Sequence, residues 1–209
     1  MDITCFIFEG ITVLDVIGPY EVLHRLPDAN VRFAAKQAGE IRTENKSLAL
    51  IADYALADVP SADILVVPGG FATRALEEDD AVLEWIRAVD ATTTWTTSVC
   101  TGSMLLAAAG LLEGKEATTH WSSLHRLSEY GAIPTQKRVI EQGKYITAAG
   151  VSSGIDMALT LAARVVDDTY AQAIQLGIEY DPQPPFDSGS LAKAPAEAVQ
   201  VLAELYGDQ

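Results

Sequence analysis

The alternation of short apolar runs with helical patterns is the feature that most constrains this fold. Four runs rich in β-branched residues alternate with three segments of helical character, and such continuous apolar runs are typical of strands buried on both faces. The strand-like runs are Ile3 to Phe8, Val31 to Ala35, Ile64 to Val67 and Thr94 to Val99, and the helical patterns are Pro19 to Leu26, Asp80 to Val89 and Gly102 to Ala109. The order predicts an α/β fold with a mostly parallel sheet and helices on both faces.

Further elements are expected on either side of these runs. Residues 41–56 lack a helical period and alternate as in a hairpin or an edge strand. Later in the chain, Tyr145 to Ala149 has the composition of a strand. Ser153 and Asp156 have the spacing of a capping box, which predicts a helix that begins there and runs to Val166. A second helix is expected from Asp168 to Glu179.

The end of the sequence differs from the rest because it is rich in proline and glycine. Residues 181–190 include Pro182, Pro184, Pro185 and Gly189, which excludes a helix, whereas Pro195 to Tyr206 has a helical pattern. A chain of 209 residues suits a single domain. We therefore expect one domain over residues 1–209, in which 181–209 forms an extended arm and a C-terminal helix.

The charge balance limits the possible partners. Lys and Arg number 14 against 29 Asp and Glu, which gives a net charge of −15. A chain this acidic is repelled by nucleic acid phosphates and by anionic membranes, so we expect neither as a partner and favour a neutral small-molecule substrate. The sequence enters a strand pattern directly after Met1, without a basic leader, and has only two cysteines. These features favour a cytoplasmic protein with free thiols.

Motifs for bound groups are missing from the sequence. There is no G-x-G-x-x-G or Walker A pattern, and His24, His120 and His125 lack the spacing of metal ligands. We therefore expect the chemistry to need no cofactor and no metal.

Cys100 lies between the last strand-like run and an apolar helical pattern, with no loop between them. The segment Val99-Cys100-Thr101-Gly102 has the form of a nucleophile elbow, where the side chain projects from the carboxyl edge of the sheet. The N-terminus of the following helix should stabilise a thiolate and lower the cysteine pKa. The alternative is a small buried apolar residue, and this is the interpretation we prefer for Cys5, within the first strand.

Two other segments should reach the same edge of the sheet. Gly69 and Gly70 follow the strand ending at Val67, and the N–H of Gly70 could bind a developing negative charge beside that of Thr101. An ordinary tight turn is the alternative. Asp15 follows the first strand and suits an acid/base role, although an Asp before a proline-started helix is also a common N-cap.

His120 ends a strand-like run and is the histidine best placed to serve as a base for a cysteine. A lone histidine more often has a structural hydrogen-bonding role, so both interpretations stay open.

On these residues the sequence resembles the PfpI/ThiJ superfamily, which includes DJ-1, over nearly its whole length. Each matching block alone is weak, but together they are specific. The blocks are LDVIGPYEVL from Leu14, VPGG from Val67, TSVCTGSMLLAAAGLLEGKEATTHW from Thr97, GIDMALTLAA from Gly154 and EYDPQPPFDSGS from Glu179. Residues 122–126 depart from the pattern of isonitrile-hydrating members, which leaves the substrate open.

The resemblance implies a flavodoxin-like fold, a homodimer with sites near the subunit interface, and hydration of an isonitrile to an N-substituted formamide. By matching positions, it implies Cys100 as the nucleophile, Asp15 as the acid/base and Thr101 as an essential neighbour. Two alternatives come from the same superfamily. One is a sensor in which Cys100 oxidises to a sulfinate, and the other is an amidase or glyoxalase-type enzyme that uses His120 as its base.

Overall fold

The computed structural model describes residues 1–206 and contains strands and helices in the predicted alternation. The strands in this range are β1 (Asp2–Phe6), β2 (Asn30–Ala35), β3 (Gly39–Arg42), β4 (Ala49–Ala52), β5 (Tyr54–Ala55), β6 (Ile64–Val67), β7 (Trp95–Val99), β8 (Glu116–Ala117), β9 (Ile133–Pro134), β10 (Val139–Gln142) and β11 (Tyr145–Ala148). The α-helices are α1 (Leu14–Leu23), α2 (Thr73–Leu76), α3 (Asp80–Asp90), α4 (Gly102–Ala108), α5 (Ser153–Val165), α6 (Asp168–Gly177) and α7 (Ala196–Tyr206). Two 3₁₀ segments, Leu56–Asp58 and Trp121–Tyr130, complete the list.

The central sheet has the order β10-β11-β7-β6-β1-β2-β5. Every neighbouring pair is parallel except β10 and β11. The inner strands β2-β1-β6-β7-β11 follow the 2-1-3-4-5 order of flavodoxin-like sheets, in which ligands bind at the carboxyl ends of the strands. The predicted fold class is therefore confirmed, and the expected location of a site is the edge where β1, β6 and β7 end.

Helices form two groups against this sheet. Helix α1 packs on α5 and α5 on α6, whereas α3 packs on α4, which also contacts β6 and β7. Helix α3 shows why these segments fold as they do: Asp79 caps its first turn by accepting from the N–H of Val82 at 3.3 Å, and Val82, Ile86 and Val89 are buried along one face. The buried strands between the two groups supply the core.

The segment at 41–56 contains both predicted alternatives. Strands β3 and β4 form a separate antiparallel hairpin, and β5 pairs with β2 at the edge of the central sheet. Strand β8 covers only the start of the strand-like run before His120, and β9, β10, α2 and the Trp121–Tyr130 segment were not anticipated. They are short or polar, so they carry little periodic signal.

The predicted start of the first helix at Pro19 is wrong, because α1 begins at Leu14 and contains Pro19. Proline is tolerated inside this helix where its ring packs on Gly154, whose hypothetical β-carbon would lie 3.1 Å from Pro19 Cγ. The correction matters for the site. Asp15 lies in the first turn of α1, where its side chain takes no part in capping.

The capping box at the start of α5 is also wrong. The N-cap is Ser152, which makes no side-chain capping bond. The hydroxyl of Ser153 instead donates to the carbonyl of Ala149 at 2.6 Å, and Asp156 pairs with Arg138. These tertiary partners compete successfully with the local hydrogen bonds that the sequence spacing suggested.

The chain divides into two compact units, Met1–Ile178 and a second unit from Glu179 onwards. Residues 181–190 contain no helix or strand, as the prolines predicted, and α7 follows them. Residues 207–209 of the predicted C-terminal segment lie outside the described residues. The single-domain description of residues 1–209 stays a prediction. No helix within residues 1–206 is long and apolar enough to cross a membrane.

Candidate active site

Cys100 occupies a sharp turn between β7 and α4, with a positive φ of 57°. For a residue other than glycine this conformation costs about 1–3 kcal/mol and persists only where the surroundings fix it. Here the Cys100 N–H donates to the carbonyls of Ala148 (3.1 Å) and Ala149 (2.9 Å), and its carbonyl accepts from Thr119 Oγ1 at 2.7 Å. The turn is held from both sides. It presents a side chain that is only 6% exposed.

Two glycines allow β6 and its following loop to approach this turn. A β-carbon at Gly102 would lie 2.0 Å from the carbonyl oxygen of Val67. A β-carbon at Gly69 would lie 2.6 Å from the Thr101 nitrogen and 2.9 Å from Cys100 Cβ. Any side chain at either position would push the loop away from the cysteine, so glycine is required at both.

Asp15 is fully buried at the same edge of the sheet. Its Oδ2 accepts a hydrogen bond from the N–H of Gly69 at 3.0 Å. Its Oδ1 accepts from no N–H or O–H group among the residues that the structure describes. A buried carboxyl oxygen without a conventional partner is costly and rare, which suggests that this atom serves a reaction rather than the fold.

The pKa of Asp15 is raised to about 7 from its usual 3.8. Burial is the main cause, because it penalises the charged carboxylate, and the Glu44 carboxylate adds to the effect. The Gly69 N–H and the Cys100 thiol oppose it by donating hydrogen bonds to Asp15. The carboxyl group can therefore both accept and return a proton near neutral pH.

The prediction that the α4 N-terminus lowers the cysteine pKa is wrong in its net direction. The pKa of the Cys100 thiol is raised well above its usual range, first by burial and then by the negative charge of Asp15. The N–H and hydroxyl of Thr101 do lower it, as a helix N-terminus should, but the two raising effects are larger. In the resting site the proton therefore stays on sulfur, with Asp15 beside it as the acceptor.

Thr101 and Gly70 are linked to each other. The N–H of Gly70 donates to Thr101 Oγ1 at 3.1 Å, and this hydroxyl lies 3.3 Å from the Gly70 carbonyl. Gly70 has a φ of 151°, and a β-carbon there would lie 2.5 Å from the carbonyl of Gly10. The Gly70 N–H, which we expected to face a substrate, is thus engaged with Thr101. The arrangement fixes the Thr101 hydroxyl beside Cys100.

His120 and Cys100 lie on either side of Gly150. A β-carbon at Gly150 would lie 2.3 Å from His120 Cδ2 and 3.4 Å from Cys100 Sγ. The ring Nδ1 of His120 lies 2.8 Å from Ser122 Oγ, and burial lowers its pKa, which favours a neutral imidazole. Gly150 was missed in the sequence, although it closely follows strand β11 at the same sheet edge.

Glu44 is a second residue that the sequence did not reveal. It lies between β3 and β4, and its Oε2 accepts from Thr12 Oγ1 at 2.8 Å. The N–H of Thr12 in turn donates to the carbonyl of Gly69 at 3.0 Å, which brings the hairpin to the Asp15 loop. Nothing in an exposed polar loop signals such a contact. Within the described residues, no group of three or more His, Cys, Asp or Glu side chains could hold a metal ion.

A flavodoxin-like sheet with a cysteine elbow and a buried acid beside it defines the class of this protein. The model of the DJ-1/PfpI family matches residues 1–164, and the chain belongs to that family. It is 44% identical to the isonitrile hydratase of Pseudomonas putida over 199 residues, which covers 95% of this chain and 87% of that protein.

Solved structures agree with this assignment. A ThiJ/PfpI family protein from Pseudomonas syringae superposes with a TM-score of 0.93 at 37% identity, covering 98% of this chain and 85% of that one. DJ-1beta of Drosophila melanogaster matches with a TM-score of 0.75 at 22% identity, covering 85% and 97% of the two chains. The second likeness concerns the fold alone.

Proposed function

We propose that this protein is an isonitrile hydratase, a hydro-lyase that adds water to an isonitrile and releases an N-substituted formamide. One observation carries the proposal: the Cys100 thiol interacts with the carboxyl group of Asp15, which is buried and has one oxygen without a conventional partner. The similarity to the Pseudomonas putida isonitrile hydratase supports the choice of substrate class. An isonitrile is small and uncharged, which suits a buried site beside a negative carboxylate.

In the first step, the Cys100 sulfur attacks the terminal carbon of the isonitrile while Asp15 takes the thiol proton. The new C–S bond leaves a lone pair on that carbon, and Asp15 delivers the same proton to it. The product is a thioimidate, R–N=CH–S–Cys100, and Asp15 is again a carboxylate. The raised pKa of Asp15, about 7, suits a group that must accept and return a proton within one step.

In the second step, the oxygen of a water molecule bonds to the thioimidate carbon while Asp15 takes a proton from that water. Asp15 then gives this proton to the nitrogen. The C–S bond then breaks, the carbonyl of the formamide forms, and the hydroxyl proton returns through Asp15 to the sulfur. Thr101 lies against Cys100 and helps to orient its sulfur. The thiol and the carboxylate are both regenerated.

The two alternatives are less well supported by this site. A redox sensor needs an easily ionised thiol, whereas burial and Asp15 raise the pKa of Cys100. An amidase or glyoxalase-type reaction would use His120 as the base, but the side chains that interact with Cys100 are Asp15 and Thr101. His120 instead forms part of the wall beside the thiol.

We further propose that the protein acts as a homodimer in the cytoplasm, without a cofactor and without nucleic acid as a partner. The net charge of −15 argues against nucleic acid as a partner, and the two free cysteines suit a reducing compartment.

The direct test is formamide production from a panel of alkyl and aryl isonitriles by the wild-type protein, Cys100→Ala and Asp15→Ala. We expect turnover by the wild type and its loss in both variants. A wild type that turns over no isonitrile in the panel would remove the proposal, as would a Cys100→Ala variant that keeps its activity.

A further inference from the structure

A buried ion pair lies next to the candidate site and takes no part in its chemistry. Both carboxylate oxygens of Glu77 accept from Arg126, at 3.0 Å from Nη1 and 2.5 Å from Nη2, and Oε2 also accepts from the Tyr130 hydroxyl at 2.8 Å. The Glu77 side chain is 2% exposed and that of Arg126 is 14% exposed. Such bidentate, charge-assisted bonds fix the geometry of the groups that they join.

One end of this pair leads directly to the loop beside Asp15. Glu77 caps the end of α2, and its N–H donates to the Thr73 carbonyl at 2.9 Å. The N–H and hydroxyl of Thr73 both donate to the carbonyl of Gly70, at 3.1 and 2.8 Å. Two successive backbone turns, from Gly70 to Thr73 and from Thr73 to Glu77, therefore connect Glu77 to the glycine that bonds to Thr101.

The other end leads to the wall on the far side of the thiol. Arg126 and Tyr130 belong to the 3₁₀ segment Trp121–Tyr130, and His120 is the residue that begins it. His120 lies against Gly150 next to Cys100 Sγ. The Glu77 pair thus joins the two segments that enclose the cysteine from different directions, and an isolated 3₁₀ segment has weak hydrogen bonds of its own to keep it there.

We propose that Glu77 is a positioning residue, which holds the Trp121–Tyr130 segment through Arg126 and Tyr130 so that His120 stays against Gly150 beside the Cys100 sulfur. This inference rests on the proposed function for its kinetic test. It concerns the position of His120 and the Trp121–Tyr130 segment beside Cys100, which we call the wall of the site. The proton transfers remain with Asp15.

The test compares Glu77→Gln and Tyr130→Phe with a matched control at the opposite edge of the sheet. Asp90 is buried like Glu77, and its Oδ2 lies 3.1 Å from Lys144 Nζ and 3.3 Å from the Tyr145 hydroxyl. Asp90→Asn breaks an ion pair of the same kind far along the strands from Cys100. Tyr130→Phe removes one hydroxyl only, so it decides the question if Glu77→Gln does not fold.

The kinetic readout is the split between KM and kcat for an isonitrile that the wild type hydrates. A looser wall weakens binding of substrate and transition state alike, so Glu77→Gln should raise KM about fivefold or more while kcat changes less than about twofold. Tyr130→Phe should change KM in the same direction by a smaller factor. Asp90→Asn should leave both parameters near wild type.

The second readout does not depend on the proposed function. The rate of Cys100 alkylation by iodoacetamide is followed by peptide mass spectrometry, with Cys100→Ala as the blank. Alkylation should be about threefold or more faster in Glu77→Gln than in wild type or Asp90→Asn, because displacement of the Trp121–Tyr130 segment exposes the sulfur. Inactivity of the wild type towards isonitriles together with faster alkylation would reject the function and keep the positioning role. Variants of Glu77 and Tyr130 that match Asp90→Asn in KM and in alkylation rate would overturn it.

Discussion

Asp15 and Asp90 are both buried aspartates, and they lie at opposite ends of the central sheet. Asp90, at the amino edge, has partners for both oxygens: Thr96 donates to Oδ1 at 2.7 Å, and Lys144 and Tyr145 contact Oδ2. Asp15, at the carboxyl edge, has one N–H donor on Oδ2 and no conventional partner on Oδ1 within residues 1–206.

The difference is the basis for assigning a structural role to Asp90 and for proposing a reactive one for Asp15. A cation and two hydroxyls stabilise the charge of Asp90 and fix its geometry. Burial raises the pKa of Asp15 to about 7, and the negative charge of Glu44 adds to this effect. The carboxyl group can therefore gain and lose a proton near neutral pH.

The largest predicted effect on activity is that of replacing Cys100. The two cysteines differ as the two aspartates do, since Cys100 lies in the candidate site and Cys5 lies in the core. Cys100→Ala should reduce isonitrile hydration by about 10⁴-fold or more, because the nucleophile is gone. Cys5→Ala should keep the activity and lower the free energy of unfolding by about 1 kcal/mol, because Cys5 is fully buried in β1. Steady-state kinetics and urea denaturation measure both. Equal losses of activity in the two variants would contradict the assignment.

The second prediction exchanges each aspartate for its neutral isostere. Asp15→Asn should lower kcat/KM by about 10³-fold without loss of thermal stability, since it removes acid/base catalysis and an unfavourable buried charge. Asp90→Asn should lower the free energy of unfolding by about 1–3 kcal/mol and leave kcat/KM within about twofold of wild type. Kinetics and thermal melts on the same samples provide the check. An inactive Asp90→Asn would break the comparison.

The dependence of stability on pH should also distinguish Asp15. Its pKa in the folded protein is about 7, above its usual 3.8, so the folded protein keeps a proton that the unfolded chain releases. The stabilisation is complete below pH ~4 and is lost as the pH rises to ~7, with a total of about 4 kcal/mol. The difference in unfolding free energy between wild type and Asp15→Asn should follow this curve. A difference that is constant from pH 4 to 7 would count against a raised pKa.

The smallest predicted effect concerns Glu44. Because its charge raises the pKa of Asp15, Glu44→Gln should move the acidic limb of the kcat/KM profile to lower pH by about half a unit. The limb itself reports loss of the Asp15 carboxylate below pH ~7, where activity should fall about tenfold per unit. Glu40→Gln, on strand β3 of the same hairpin, serves as the control. An unmoved limb in Glu44→Gln would remove Glu44 from the electrostatics of the site.

Much of the fold could be predicted from sequence, because buried parallel strands and amphipathic helices have strong periodic signals. Strand β6 and helix α3 lie almost where the apolar pattern places them. The start of α1 could not be found in this way, since Pro19 is accommodated by a tertiary contact with Gly154 that no local rule contains. The same is true of Ser153, whose hydroxyl bonds to Ala149.

The residues of the candidate site could be predicted from sequence more fully than their pKa values. Cys100, Asp15, Thr101, Gly69 and Gly70 all follow strands at one edge of the sheet, so the topology brings them together. The direction of the Cys100 pKa was missed because burial and a nearby carboxylate depend on three-dimensional packing. Glu44 and Glu77 were missed for the same reason: each acts through partners distant in the sequence.

Peptide mass spectrometry of the wild type, quenched during turnover of an isonitrile, tests the central claim most directly. The account predicts that the peptide containing Cys100 gains the mass of one isonitrile, that this adduct disappears as formamide accumulates, and that the Cys5 peptide stays unmodified. Formamide production with no adduct on Cys100 at any quench time, or the same turnover by Cys100→Ala, would contradict a reaction through the Cys100 thioimidate.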